Sequence, residues 1–285
     1  MKAFGRSIVA LAASLVVGSV QAGPFILAGT DADDHGFASG GANQDGWFFM
    51  QRALENLAAA SSLTNTNRVV ISLGSSAGGA LNAATSAFNL SSLNAPGPNQ
   101  WTFMSVPDLT SLPGAMSFAD TISAGSILML DSGSSNVGGG LSNAEEAVLT
   151  ANASAINAFV GAGGGLFSQA GDYGWLSSLV PSLSVNFSQR SGLALTGAGT
   201  GAFPSLTNAD LSSGPYHANF LNVGTIPVLA TGINANSGLD VIIGSSGGSI
   251  TNPDPVGVIP EPETYALMLA GLAAMGAVAR RRKQK

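Results

Sequence analysis

The sequence predicts an α/β fold with a doubly wound, mainly parallel sheet. Short segments of continuous apolar residues alternate with longer segments of helical period, which is typical of buried parallel strands covered by helices on both faces. The clearest apolar segments are FILA at 25–28, RVVISL at 68–73, SILML at 126–130 and GLFS at 165–168. Three of them run directly into Gly, Ser and Asp residues. We therefore expect one sheet whose strands end in polar loops.

Four segments have the spacing of helices with one apolar face, and they cover about 46–60, 80–88, 143–160 and 173–180. Asp45 is the predicted N-cap of the first. Ser142 and Glu145 have the spacing of a capping box for the third, which is the longest and stops at the glycines that begin with Gly161. Further strands are predicted at 183–187, 226–230 and 240–243, and the Ser-, Asn- and Pro-rich segment 89–119 is predicted to be looser.

The order of elements resembles the flavodoxin-like fold of class I glutamine amidotransferases and ThuA-like proteins. In those families a capped helix leads into a Gly-rich strand, as at 163–167 here, and a His-containing loop, as at 212–217 here, precedes the final strands. The resemblance implies an amidotransferase-like body over about 25–248. Those enzymes need a cysteine after the Gly-rich strand, where this chain has Gln169 and Ala170, so amidotransferase chemistry is excluded.

The segment 23–259 is acidic and contains no cysteine. Three arginines stand against fourteen carboxylates, a net charge of −11. Nucleic acid is not an expected partner, because binding phosphates needs a basic surface. The absence of cysteine excludes disulfides, a thiol nucleophile and a thiolate zinc site.

The N-terminus has the three regions of a secretory signal peptide. Lys2 and Arg6 are its positive region, an apolar region follows at 8–17, and a small-residue cleavage site ends at Ala22. We expect signal peptidase to remove residues 1–22, so that the mature chain begins at Gly23.

The last 28 residues contain three parts in order. Pro260, Glu261 and Pro262 come first, and a charge-free apolar segment follows at about 264–279. The end is basic, with Arg280, Arg281, Arg282 and Lys283. As a helix the apolar segment would rise about 24 Å, slightly less than the ~30 Å hydrocarbon thickness, and the basic residues predict a cytoplasmic end.

This arrangement resembles the PEP-CTERM sorting signal of Gram-negative bacteria, which an exosortase recognises and processes during export. The chain then divides into a signal peptide (1–22), an α/β body (23–251), a Pro-rich linker (252–259) and a sorting signal (260–285) with a transmembrane helix at about 264–279. The resemblance implies transient contact with the inner membrane and a place at the cell surface or in the extracellular matrix, in association with exopolysaccharide and biofilm.

The acidic loop after the first strand is a candidate metal site. Its carboxylates are Asp31, Asp33 and Asp34. With Gly36 at position six they resemble the start of a calcium loop, but position twelve is Ala42 where a bidentate Glu is needed. Calcium is therefore a possible ligand, and a solvated loop that caps the next helix is the alternative.

A second candidate site is a serine nucleophile. Residues 74–78 match G-x-S-x-G between a strand and a helix, with Ser76 at the centre. Ser76, an acid at Asp131 or Asp210, and His217 follow the chain order of a hydrolase triad. A Gly-rich turn without a catalytic role is the alternative, because a similar string recurs at 244–248.

These observations favour an exported, exosortase-processed surface or matrix protein with a structural or glycan-associated binding role. A serine hydrolase and a calcium-dependent binding module are the alternatives. No cofactor other than calcium is expected.

Overall fold

A computed structural model describes residues 22–112, 116–169 and 171–244. They form a mixed sheet that contains a five-stranded parallel part and has helices on both faces, which confirms the predicted α/β class. The strands are β1 (Phe25–Ala28), β2 (Gly36–Ser39), β3 (Ala42–Gln44), β4 (Val69–Leu73), β5 (Thr102–Val106), β6 (Ile127–Leu130), β7 (Gly165–Ser168), β8 (Ser184–Ser191), β9 (Leu193–Leu195), β10 (Pro215–Leu221), β11 (Val228–Gly232) and β12 (Asp240–Gly244). The helices are α1 (Asp45–Ala59), α2 (Gly78–Asn89), α3 (Phe118–Ser123), α4 (Asn143–Ala151), α5 (Ala153–Gly161), α6 (Leu176–Leu179), α7 (Gly197–Ala202) and α8 (Asn208–Leu211).

Ten of these strands form one sheet, and its parallel part has the order β5-β4-β6-β7-β1. Beyond β1, strands β12, β10 and β8 follow in antiparallel pairs, and β11 and β9 extend from β12. A separate hairpin of β2 and β3 lies between β1 and α1. The parallel part therefore brings the ends of five strands to one edge.

The position of β1 differs from the flavodoxin order. Numbered along the chain, the five parallel strands lie as 3-2-4-5-1, whereas flavodoxin has 2-1-3-4-5. Strands β4 to β7 keep the flavodoxin order among themselves, and β1 is added beside β7. The chain reaches β4 from β1 through helix α1, which packs across β1, β7 and β6.

Alternate residues of the strands enter two separate cores. In β1, Ile26 packs with α1 and α2 on one face, while Leu27 packs with α3 to α6 on the other. Phe49 of α1 contacts the ring of Phe167 in β7 edge to face, with ring centroids 5.7 Å apart. Both faces of β1, β4, β6 and β7 are buried, which explains why their sequences are continuously apolar.

The apolar segments are confirmed as strands. β1 and β7 have the predicted bounds, and β4 and β6 begin one residue later than predicted. The segment 89–119 was expected to be loose, but it contains β5. This strand has only β4 as a neighbour and is half-buried, so its sequence TFMSV lacks a strong apolar signal.

Two helix predictions were wrong in detail. Asp45 does not cap α1, because β3 runs directly into the helix and Gln44 precedes it without a side-chain cap. The longest predicted helix is two helices, α4 and α5, which meet at Asn152. The Asn152 side chain donates to the Val148 carbonyl (2.8 Å), and such local bonds compete with the helical pattern.

The segment predicted as a His-containing loop is partly strand. β10 begins at Pro215 and includes His217. Proline is tolerated there because the first residue of a strand need not donate to the ladder. The predicted cleavage site lies at the start of the fold, where the Gly23 amide donates to the Val160 carbonyl (2.7 Å).

Within the described parts of the chain, none of the helices has both the length and the apolar character needed to cross a membrane. The predicted transmembrane helix at 264–279, the sorting motif and residues 1–21 of the signal peptide lie outside the described residues.

The capping box of α4 generates a stability prediction. The Ser142 hydroxyl accepts from the Glu145 amide, and the Glu145 carboxylate accepts from the Ser142 amide (2.9 Å). Ser142→Ala should lower the free energy of unfolding by about 1 kcal/mol, since the Glu145 amide loses its acceptor. Urea unfolding followed by tryptophan fluorescence measures this loss. Ser135→Ala, at an exposed serine outside any helix, should leave stability unchanged, and an equal loss in both variants would contradict the assignment.

Candidate functional site

The carboxyl ends of four neighbouring strands form the candidate site. In the order β4, β6, β7, β1, the chain leaves the sheet through loops that begin at Gly74, Asp131, Gln169 and Gly29. After β4 the chain moves outward to β5 through α2, and it returns across β4 to β6 through α3 on the opposite face. Ligands of open α/β sheets bind outside the carboxyl ends at such a reversal.

Asp33 links the loops that follow β1 and β6. Its Oδ1 accepts from the Ser132 hydroxyl (2.7 Å), and its Oδ2 accepts from the Ser132 amide (2.9 Å). Burial raises the pKa of Asp33 to about 6, although the bonds from Ser132 oppose the shift, and the nearby charge of Asp31 raises the pKa further. Asp33 is therefore an interior acceptor that holds two loops together.

Asp131 is a second interior carboxylate, and it is fully buried. The Ser75 hydroxyl donates to Asp131 Oδ2, and the Ser72 hydroxyl pairs with that of Ser75. Burial raises the pKa of Asp131 well above its usual value, the charge of Asp33 adds to this, and the bond from Ser75 opposes it. Asp131 therefore keeps its proton to a higher pH than an exposed aspartate does.

Asp31 is the third buried carboxylate, and it faces two histidines. Its Oδ2 lies 2.9 Å from His217 Nε2 and 3.3 Å from His35 Nε2. Asp34 Oδ2 lies 3.7 Å from the same His35 nitrogen. The side chain of Asp31 is 4% exposed, that of His35 29% and that of Asp34 43%, so the cluster opens towards solvent on one side.

Several buried polar atoms at this edge have no hydrogen-bond partner among the described residues. They are Thr30 Oγ1, Asp31 Oδ1, Asp131 Oδ1 and both side-chain polar atoms of Gln169. Each such atom costs free energy unless a ligand, an ion or water satisfies it. A cavity of about 10 Å³, close to the size of one water molecule, is lined by Thr30, Asp31 and His35.

The residues of the hypothetical serine triad have separate partners. Ser76 is exposed, and its hydroxyl donates to the Gly139 carbonyl (3.3 Å). His217 contacts Asp31, and Asp131 accepts from Ser75, the neighbour of the predicted nucleophile. Asp210 caps α8 by accepting from Thr207 (2.7 Å). The structure does not join Ser76 and His217 by a hydrogen bond.

The hypothetical calcium ligands also diverge. Asp33 turns inward to Ser132, whereas Asp31 and Asp34 remain at the mouth of the loop. His35 takes the third place, because ligand atoms of Asp31, Asp34 and His35 all lie within 4.8 Å of one another. The sequence motif located this loop, but it gave no sign of the inward turn or of the contact with His217.

A second, open concavity lies beside the end of β7. It has a volume of about 730 Å³, and Asn143, Glu146, Thr150, Asp172 and Phe187 are among its lining residues. Phe187 is 52% exposed, and sequence reasoning did not single it out. Burial raises the pKa of Glu146, and the charge of Asp172 raises it further. We call this surface the β7 groove.

Comparison with known families finds a PEP-CTERM protein-sorting motif over residues 258–283. No curated protein and no solved structure matches the chain. The motif marks an exosortase-targeted protein that is exported to the cell envelope or surface of a Gram-negative bacterium, as the tail predicts. It covers the tail and leaves the body without a matched relative.

The raised pKa of Asp131 predicts how stability depends on pH. A carboxyl that binds its proton more tightly in the folded state stabilises fully below the unfolded pKa, about 4, and loses that contribution as pH rises through the folded pKa. The free energy of unfolding should therefore fall as pH rises above about 4, and Asp131→Asn should flatten this fall. Urea unfolding at a series of pH values measures both slopes.

Asp108→Asn provides a control of opposite sign. Asp108 is exposed, and hydrogen bonds from Thr110 lower its pKa, so its charged form stabilises the fold. This variant should lose stability at higher pH rather than at lower pH. A slope for Asp131→Asn equal to that of the unaltered protein would contradict the raised pKa of Asp131.

Proposed function

We propose that the chain is a non-catalytic surface or matrix protein whose body binds extracellular polysaccharide through the β7 groove. The sorting motif brings the protein to the envelope, where polysaccharide is an available ligand. The proposal rests on the composition of the groove. The exposed ring of Phe187 lies beside polar side chains that can exchange hydrogen bonds with a ligand, those of Asn143, Thr150 and Asp172.

The groove suits a chain of sugar rings. Phe187 offers an apolar face on which a sugar ring packs, and aromatic side chains supply much contact area at little entropic cost. Asn143, Thr150 and Asp172 supply amide, hydroxyl and carboxylate groups that exchange hydrogen bonds with sugar hydroxyls. Its open shape and its volume of about 730 Å³ leave room for several sugar rings.

Charge narrows the class of polysaccharide. The segment 23–259 has a net charge of −11, and Glu146 and Asp172 both line the groove. A polyanionic polysaccharide would be repelled by this field. We therefore propose a neutral polysaccharide as the ligand.

The arrangement of the serines supports a binding role over hydrolysis. A serine nucleophile needs a base within hydrogen-bond reach. Ser76 bonds to a backbone carbonyl, and His217 to Asp31.

We also propose that the body is flavodoxin-like, because it has the α/β class and its strands β4 to β7 have the flavodoxin order among themselves.

The binding proposal is tested by Phe187→Ala. Loss of the exposed ring should weaken sedimentation with a neutral exopolysaccharide at least several-fold, because the packing surface for the sugar is removed. Phe37→Ala is the matched control, since Phe37 is also about half exposed (51%) but lies in the β2–β3 hairpin. Equal sedimentation of both variants and the unaltered protein would place the binding surface elsewhere.

The sorting proposal is tested by replacing Pro260, Glu261 and Pro262 with alanine. The variant should keep its tail and remain in the inner-membrane fraction, because the exosortase no longer recognises it. Fractionation and mass spectrometry of the C-terminus measure both effects. The Pro253-Asp254-Pro255 segment is a matched control with nearly the same chemistry, and its triple alanine variant should be processed normally. Normal processing of both variants would contradict exosortase recognition at 260–262.

A further inference from the structure

The loop after β1 places three metal-ligating side chains at one point. Ligand atoms of Asp31, Asp34 and His35 lie within 4.8 Å of one another, close enough for one ion to contact all three after small side-chain rotations. We propose that these residues bind a divalent transition-metal ion of the zinc type. This site is separate from the β7 groove and does not depend on polysaccharide binding.

A buried atom without a partner is independent evidence for a ligand. Asp31 Oδ1 has no hydrogen-bond partner among the described residues, and its side chain is only 4% exposed. The Thr30 hydroxyl beside it is also buried and unpartnered. Both residues line the cavity of about 10 Å³, and His35 is a further lining residue. An acidic cluster in a solvated loop would instead turn its oxygens to water.

The chemistry of the ligand set favours a transition metal over calcium. Calcium takes six to eight oxygen ligands, and here the third carboxylate, Asp33, is committed to Ser132. An imidazole nitrogen with two carboxylates suits zinc and its neighbours in the first transition series. The partial exposure of Asp34 and His35 leaves room for water as a further ligand.

His217 has the position of a supporting residue. Its Nε2 lies 2.9 Å from Asp31 Oδ2, and it reaches this point from β10, 186 residues further along the chain. Carboxylates that bind metals are usually held by such outer hydrogen bonds, which fix their orientation. His217 therefore orients Asp31 towards the ion and is a positioning residue.

The test uses the full-length chain, purified in detergent and stripped of metal with a chelator. Zinc, manganese and calcium are added separately, and melting temperature and bound metal per chain are measured. Zinc at about 100 times its dissociation constant should raise the melting temperature by roughly 5–10 °C, with one ion bound per chain. No binding of zinc or manganese would overturn the proposal, and a shift with calcium alone would overturn the choice of metal class.

Two variants at partly exposed positions separate metal binding from folding. Asp34→Asn and His35→Gln should each abolish most of the zinc-dependent shift while leaving the metal-free melting temperature nearly unchanged. His217→Ala should retain binding with an affinity lower by about 10- to 100-fold. Asp108→Asn, at an exposed acid far along the chain, should bind zinc like the unaltered protein. If Asp34→Asn and His35→Gln retain the full shift, zinc binds elsewhere and the proposal fails.

Discussion

The hydrogen bonds between Asp33 and Ser132 are the interaction on which the carboxyl edge of the sheet depends. They join loops 99 residues apart and draw one carboxylate of the acidic loop into the interior. The loop also contains a tight turn, in which the Asp34 amide donates to the Asp31 carbonyl (3.0 Å). This turn fixes the directions of the Asp31 and Asp34 side chains. With Asp33 inside, Asp31 faces the histidines, and Asp34 lies at the solvent side. One buried pair therefore decides which groups are available to a ligand.

Three aspartates are buried at this edge, and no arginine of the described residues neutralises them. Arg52 pairs with Glu55, while Arg68 and Arg190 bond to a carbonyl and to an asparagine side chain. The free-energy cost of burying a carboxylate is therefore reduced in a different way at each of the three aspartates. Burial raises the pKa of Asp131, Asp33 accepts hydrogen bonds from Ser132, and Asp31 Oδ2 lies beside two histidines. Since a buried charge is costly unless it is paired, Asp31 is the position where a cation adds most.

Local features of the sequence predicted much of the fold and little of the site. The strands with both faces buried are continuously apolar, so β1, β4, β6 and β7 were recognisable without neighbours. The half-buried β5 was not, because its burial depends on a single partner strand. The acidic loop was identified as a candidate because its residues are adjacent in sequence. The inward turn of Asp33 and the contact of His217 arise only from packing between distant segments, so no motif contains them.

The same distinction applies to the serine motif. G-x-S-x-G describes a turn between strand and helix, and the structure has that turn between β4 and α2. The buried hydroxyl at this turn is that of Ser75, which supports Asp131, while Ser76 points to Gly139. A motif of small residues fixes the path of the backbone but not which hydroxyl faces the site. Function at this edge therefore has to be argued from side-chain partners.

Because the chain has no cysteine, the contact between His217 and Asp31 matters for stability as well as for ligand binding. An exported chain without cysteine has no disulfide cross-link between its early and late segments. Asp31 and His217 connect residues 186 positions apart, and a metal ion held by Asp31, Asp34 and His35 would strengthen that connection. Because the three ligands take up their binding arrangement only in the folded chain, binding free energy becomes folding free energy. A site of this kind would stabilise the body in the compartment where its sorting signal places it.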